Sequence, residues 1–498
     1  MNLVERPVRR PWVVLVSVFS TIITSACGSA TYSRVSATQN PLVAQYEVVP
    51  TATASAAQGW VEFGPTISYG RQTSWVSPAP GGSALPILVA GMKASTTYHM
   101  RAHVVWANGG EWVDQDHTFT TGALPGGVLT SPTTSISVSQ PTPGLSPAPG
   151  VELLCLNAAV VSDLQGNVIW YYPGVATPIK PMSNGHFIMN LGAHLREVDL
   201  AGNTIRDVSV AQVNQALPAI GRSFTIINFS HDVLVLPNGH WITIGQISQN
   251  YTDLPGYPGV TAVLGDVVID IDTAGNVVWA WSAFDYLDVN RHGFSFPDWT
   301  HSNALVYTAD GNLLLSMRAQ SWILKLDYAN GTGSGNILWK LGEDGDFTMA
   351  GGDPSQWFYG QHYPNILSVD GPLTTVAVYD DGNFRLNANG VACGSSSSAP
   401  ACYTRATIFQ IDETTDAATL LWQDLPGFFS YWGGSIGTLN NGDVEFDSSD
   451  PWNAASSQIS EVTPTQNPQT VWQMNITGQN AYRGYRIPSL YPGITWNQ

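Results

Sequence analysis

The chain has 498 residues, enough for two or three domains, and is 44% hydrophobic but only 11% charged. Its formal net charge of −18, from 19 Lys and Arg against 37 Asp and Glu, leaves no basic stripe for phosphates and argues against a nucleic-acid partner. With 48 Gly, 18 Trp and 19 Tyr, the composition fits short strands and many turns better than long helices.

Residues 1–27 read as an export signal. "MNLVERPVRRP" is basic, "WVVLVSVFSTII" is an apolar core too short to span a bilayer, and "TSAC" ends in small residues and Cys27. The "TSACGS" ending resembles a bacterial lipobox with Cys27 as the lipidated residue, although Thr24 stands where an aliphatic residue is usual. The expectation is an exported chain, either a periplasmic or membrane-anchored lipoprotein or a freely secreted protein. Residues 28–45, rich in Ser, Thr and Gln, are expected to be a tether. Residues 46–121 alternate in strand fashion ("GWVEFGP", "ALPILVAGMK", "TTYHMRAHVVWA", "DHTFTTG") and resemble a fibronectin type III sandwich. Residues 122–150 are rich in Pro, Ser, Thr and Gly and read as a linker or an extended arm across a neighbouring domain.

From 151 to 498 the chain repeats loosely. A turn, a β-branched run and a Trp recur as "GNVIW" (166–170), "GNVVW" (275–279), "GNILW" (335–339), "TLLW" (419–422) and "TVW" (470–472), with "GNTIR" (202–206) lacking the Trp. Hairpin signals recur as "SNGHFIM", "PNGHWI", "ADGNLLL", "DDGNFR" and "NNGDVEF", where Asn-Gly and Asp-Gly supply the positive φ of a tight turn. About six repeats imply an all-β fold closed as a six-bladed β-propeller, since radial closure limits exposed edges. "AYRGYRIPSLYPG" (481–493) would close the ring against the first repeat. A long two-sheet sandwich is the rival.

Three histidines stand just before comparable apolar runs: His231 in "FSHDVLV", His301 in "DWTHSNALVY" and His362 in "GQHYPNIL". In a propeller such positions converge near one end of the central channel. Asn303 is expected on the same side as His301, because side chains alternate along a strand. Arg318 follows the hairpin after His301, and Arg385 follows "DDGN" after His362; an Arg in an apolar strand needs an anionic partner. Any one histidine alone reads as a turn or packing residue, as His99, His103, His117 and His240 do. Three at matching positions with two arginines read as a site for an oxyanion. A metal is a further reading, but neighbouring arginines oppose a dication, so neither metal nor cofactor is expected. Cys393 and Cys402 bracket "GSSSSAPA", a loop that a disulfide would pin, with two free thiols the alternative; Cys155 reads as a lone core thiol.

"DWTHSN", "SMRAQSWILKLD", "LWKLG", "GQHYPNI", "DDGNFR" and "AYRGYRI" together resemble the bacterial arylsulfate sulfotransferases. The resemblance covers about residues 150–492, with a weaker echo over 46–121. It implies an N-terminal β-sandwich with a six-bladed propeller. It also implies sulfuryl transfer from a phenolic sulfate ester to a phenol, without 3′-phosphoadenosine-5′-phosphosulfate (PAPS) or another cofactor. By that resemblance His362 matches the transiently sulfurylated histidine. His231, His301, Asn303 and Arg318 match its surroundings, and Cys393–Cys402 matches a disulfide near the site. Tyr363 and Pro364 depart from the family pattern after the nucleophile. Trp299, Trp357, Tyr359 and Tyr431 are candidates for an aromatic rim, with ordinary core packing as the equal alternative. A homodimer is compatible with this reading, and the chief rival is a noncatalytic exported propeller that binds a ligand. A hydrolase or quinone-dependent dehydrogenase would need a calcium-type acidic cluster or paired carboxylates, which the sequence does not display.

Overall fold

A computed structural model describes residues 31–50, 56–78, 84–129, 134–174, 177–386, 390–394, 402–451 and 453–497. The expected export signal and Cys27 lie outside the described residues. The chain is all-β, in eight sheets among the described residues.

Two sheets precede the repeats. One joins Tyr32–Ala37, Ala44–Val49 and Leu85–Val89; the other joins Arg71–Gln72, Ala56–Gly64, Thr97–Trp106 and Glu111–Val113, with His117–Thr120 also on Thr97–Trp106. Ala44, Tyr46 and Val48 face the core while Gln45 and Glu47 do not, the period of two expected of a half-buried strand. Residues 28–45, expected as a tether, hold the strand Tyr32–Ala37, whose backbone pairs with Ala44–Val49 from Tyr32↔Val49 to Ala37↔Ala44. A polar composition alone does not reveal that pairing.

Six sheets follow in chain order, antiparallel except that Thr348–Met349 pairs parallel with Ala417–Asp424 at the edge of the fifth. The second runs from Ile179 to Ser209, the third from Asn228 to Ser282, the fourth from Ser302 to Leu341, the fifth from His362 to Asp424 and the sixth from Ser435 to Thr477. The first is built from Val151–Cys155, Ala159–Ser162 and Val168–Tyr172, and its missing strand is the C-terminal Gly484–Ile487, paired from Val151↔Ile487 to Leu154↔Gly484. Strands of neighbouring sheets touch in succession, from Phe187–Asn190 through Asn228–Val235, Ser302–Tyr307, His362–Asp370 and Ser435–Thr438 to Gly484–Ile487. The recurring Trp motifs fall in edge strands in the first, third and fourth sheets, whereas the strands of Trp422 and Trp472 are each covered by one further strand. Of the hairpin signals, Asn238-Gly239 and Asp310-Gly311 do turn between first and second strands, with Gly239 at φ 82° and Gly311 at φ 80°. "DDGNFR" does not: the fifth-sheet hairpin turns at Asp370–Leu373, and Asp381-Gly382 opens the loop after the second strand. Ser135–Ser139, within the Pro-rich stretch, adds a fifth strand to the sixth sheet along Thr470–Thr477. A short helix, Val210–Ala216, is capped by Ser209 and Gln212 in a reciprocal box, a signal not read from the sequence.

Candidate active site

The third, fourth and fifth sheets begin with irregular strands. Register shifts fall between Ser230 and Val233, between Ser302 and Ala304, and between His362 and Asn365. Within or next to each a non-glycine residue is left-handed: His231 at φ 51°, His301, just before its shift, at φ 44° and Tyr363 at φ 47°. Each such residue costs about 1–2 kcal/mol, and bulges of this kind re-aim side chains beside functional sites.

They bring the histidines together. The His231 and His301 rings lie 4.8 Å apart, and Tyr482 bridges the group, 5.7 Å from His231 and 6.0 Å from His362. His362 is 2% exposed and forms a 2.5 Å hydrogen bond from Nδ1 to Asp381 Oδ2. Gly433 N–H donates to His362 Nε2 at 3.3 Å, which puts the ring hydrogen on Nδ1 and leaves the lone pair on Nε2. Gly433 and Gly434 have φ of 74° and 112°, and a Cβ would lie 2.8 Å from Ser449 Cβ and 2.5 Å from Tyr379 Cδ1, so the tight loop holding this N–H demands glycine twice. Burial holds His362 well below the usual histidine range, and the charges of Arg318 and Arg483 push the same way. Burial raises Asp381 well above the usual carboxylate range.

Arg318 stands after the second strand of the fourth sheet, where its N–H donates to His301 O at 3.3 Å. Its Nη2 donates to Asn383 Oδ1 and to Tyr431 O, each at 3.0 Å, while the buried Nε has no partner. Among the described residues no carboxylate lies within ion-pair distance of it. His301 Nδ1 pairs with Asp298, and His231 Nδ1 with Ser230 Oγ at 2.5 Å. Burial, then His301, lowers His231 well below its usual range, so His231 is neutral at pH 7.

Several expected site residues serve elsewhere. Arg385 is ion-paired with Asp380, donates to Tyr403 O at 2.9 Å and lies over Tyr403, so its charge is neutralised outside the cluster. Trp299 is 1% exposed and donates to Arg291 O at 3.0 Å, and Trp357 packs with Phe358 and Phe409; both are core. The Tyr359 hydroxyl donates to Glu343 at 2.9 Å. Tyr431 does adjoin the site, through the carbonyl that holds Arg318. Asn303 sits at the bulge, where alternation with His301 fails. It is fully buried, and its Nδ2 donates to Gln361 O at 2.7 Å, bracing the strand that starts at His362. Cys393 and Cys402 form a disulfide with 5.5 Å between Cα atoms, and Cys155 is free and buried.

Sequence reasoning missed Asp381, Asn383, Gly433, Tyr482 and Arg483. The first two lie in "DDGNFR", where a turn signal masked them; Tyr482 and Arg483 lie in "AYRGYRI", which reads as ring closure and family resemblance but not as site residues. Arg483 is fully buried beside Asp232, which also pairs with Lys180 at 2.6 Å. Among the described residues no three His, Cys, Asp or Glu side chains are grouped so as to hold a metal ion.

The family model described as Arylsulfotransferase (ASST) matches residues 154–486. No curated protein matches the chain. Similar solved structures include a protein of unknown function from Bacteroides caccae, with 10% identity over 68% of this chain and 98% of that one and a TM-score of 0.41. Virginiamycin B lyase from Staphylococcus aureus has 10% identity over 69% of this chain and 99% of its own, with a TM-score of 0.29. A Synechocystis apocarotenoid oxygenase variant has 8% identity over 92% of this chain and 96% of its own, with a TM-score of 0.30. At such scores none of these likenesses bears on fold or chemistry.

Proposed function

The chain belongs to the arylsulfotransferase family, and on that premise we propose that it moves a sulfuryl group from a phenolic sulfate ester to a phenol through a sulfohistidine at His362, without PAPS. The observation that carries this reading is Arg318: a buried guanidinium without an ion-paired carboxylate among the described residues, beside a histidine that burial keeps neutral. A buried cation of that kind calls for an anionic ligand. The same reading takes the six successive sheets as blades of a propeller, preceded by a fibronectin-like sandwich, in an exported protein.

Transfer of a sulfuryl group resembles phosphoryl transfer, in which positioning and charge stabilisation dominate. His362 Nε2 gives up its long contact with Gly433 N–H and attacks sulfur. The N–S bond forms as the S–O bond to the aryl group breaks, and the phenolate leaves with the bonding pair. The ring keeps its Nδ1 hydrogen and becomes cationic, and Asp381, which accepts that hydrogen at Oδ2, stabilises the charge because a neighbouring cation favours the ionised form of its carboxyl group. Arg318 and the freed Gly433 N–H then face the sulfuryl oxygens. His301, held by Asp298, faces the site as the proton carrier for phenol departure and entry; neutral His231 beside it is an acceptor rather than a cation.

The test is release of 4-nitrophenolate from 4-nitrophenyl sulfate in the presence of phenol. His362→Asn is expected to lose at least about 10³-fold in rate, and the wild type to give the parallel reciprocal plots of a ping-pong route. Equal release by both proteins removes His362 from its role; no release by either favours a noncatalytic binding propeller.

A further inference from the structure

The surroundings of Arg318 are apolar beyond what an oxyanion requires. The Phe294 ring lies under the guanidinium, 4.8 Å from Cζ to the ring centroid. Phe384 stacks on Phe294 with centroids 4.7 Å apart and planes 19° from parallel. Yet Phe384 is 44% exposed, and Leu386 and Val391, which precede the Cys393–Cys402 disulfide, are 67% and 43% exposed. An exposed aromatic ring stacked on the ring beneath a buried guanidinium is an apolar surface that calls for a ligand.

The loop is built to present that ring. Phe384 is left-handed at φ 68°, an unfavourable conformation for a bulky residue. Its N–H donates to Cys393 O at 2.9 Å, and Cys393 N–H donates to Arg385 O at 2.9 Å, so the strained residue is fixed at the base of the disulfide. The preceding residue, Asn383, accepts from Arg318 at 3.0 Å. One loop therefore orients both the cation and the exposed ring beside it.

We propose that the Phe294–Phe384 stack is the aryl-recognition surface of the site, receiving the ring of an ester whose sulfuryl group lies on Arg318, and that it selects extended apolar aryl groups over small or polar ones. The assignment rests on the sulfuryl-transfer reading for the identity of the anionic head. The occupant follows from complementarity: a cation joined to stacked aromatic faces matches a molecule with an anionic head on a flat apolar body. A free inorganic anion would leave the apolar lip bare, and a polyol would leave the guanidinium without a charge partner.

The probe is 2-naphthalenesulfonate, which carries the head and the ring but has no ester bond to transfer, measured by calorimetry against methanesulfonate. Phe384→Asn suits the left-handed backbone and removes the ring. It is expected to weaken naphthalenesulfonate binding about tenfold while leaving methanesulfonate binding unchanged, and Leu386→Ser to weaken the former about threefold. Undiminished naphthalenesulfonate binding in both variants overturns the proposal whether or not the protein turns over 4-nitrophenyl sulfate. A wild type that binds the probe through Phe384 but releases no nitrophenolate sinks the transfer reading and keeps the surface.

Discussion

The residue that most changes the reading of the site is Asp381. It is fully buried and 2.5 Å from the His362 ring, and one of its oxygens has no partner. A buried carboxyl is expensive unless paired, and here its partner is the group proposed to become cationic. Asp381→Asn keeps the shape but can present its N–H₂ to Nδ1, which would drive the ring hydrogen to Nε2 and block attack. The expected loss is about 10²-fold or more in kcat/KM, with a changed acid limb in the pH profile, which a merely structural defect would not produce. The sign of that limb follows from the direction of the shift. His362 must be neutral to attack, and its folded value is lowered, so wild-type transfer stays flat as pH falls through 6.5 and declines only below it. A rate measured from pH 8 to 5 that drops around the ordinary histidine value would contradict this environment.

At the level of elements, the site is made by departures from regular strand structure. Bulges at the starts of three successive inner strands turn His231, His301 and His362 toward one another, where an unbroken alternation would have set them by register alone. The loop after the second strand of the fifth sheet then supplies Asp381 and Asn383, and the Cys393–Cys402 disulfide lies within that loop, tied to Phe384 through the Cys393 carbonyl. Closing a loop of nine residues' separation constrains the unfolded chain by about 3 kcal/mol. The double variant Cys393→Ser/Cys402→Ser is therefore expected to lose stability of that order in urea unfolding. It is also expected to raise KM for 4-nitrophenyl sulfate several-fold, because Asn383 no longer holds Arg318. A stability loss with unchanged KM would detach the loop from substrate binding.

Across the whole molecule, the C-terminal strand joins the first repeat sheet and delivers Arg486 into a buried acidic seam. Arg486 pairs with Glu152, with Glu445 at 3.0 Å and with Glu461 at 3.2 Å. Beside it Asp447 is fully buried with no side-chain partner on either oxygen. Burial raises Glu445 and Asp447 well above the usual carboxylate range. The folded chain thus retains protons that the unfolded chain releases above about pH 4, and these groups' contribution is lost as pH rises toward their folded values. His231 and His362 act oppositely: their folded values are lowered, so stability falls as pH drops below about 6.5. Asp447→Asn is expected to gain stability over the wild type progressively from pH 4.5 to pH 8 in thermal unfolding. A difference independent of pH would mean that Asp447 does not titrate with folding.

The sequence by itself determined the all-β class, the number of repeats and the strand that joins C-terminus to first repeat. These depend on local turn chemistry and on apolar periodicity, which are written in neighbouring residues. It also singled out His231, His301, His362 and Arg318, because repetition converts distant positions into comparable ones. Only the tertiary structure decided which cations are free and which rings are exposed. Arg318 and Arg385 look alike in sequence, but Asp380 ion-pairs with Arg385, while among the described residues no carboxylate lies within ion-pair distance of Arg318. Trp299 and Phe384 are both aromatic, yet one is core and the other is exposed to solvent. The tether and the "DDGNFR" turn were misread for the same physical reason. Pairing, bulges and charge neutralisation join residues far apart in the chain, and no local pattern encodes the partner.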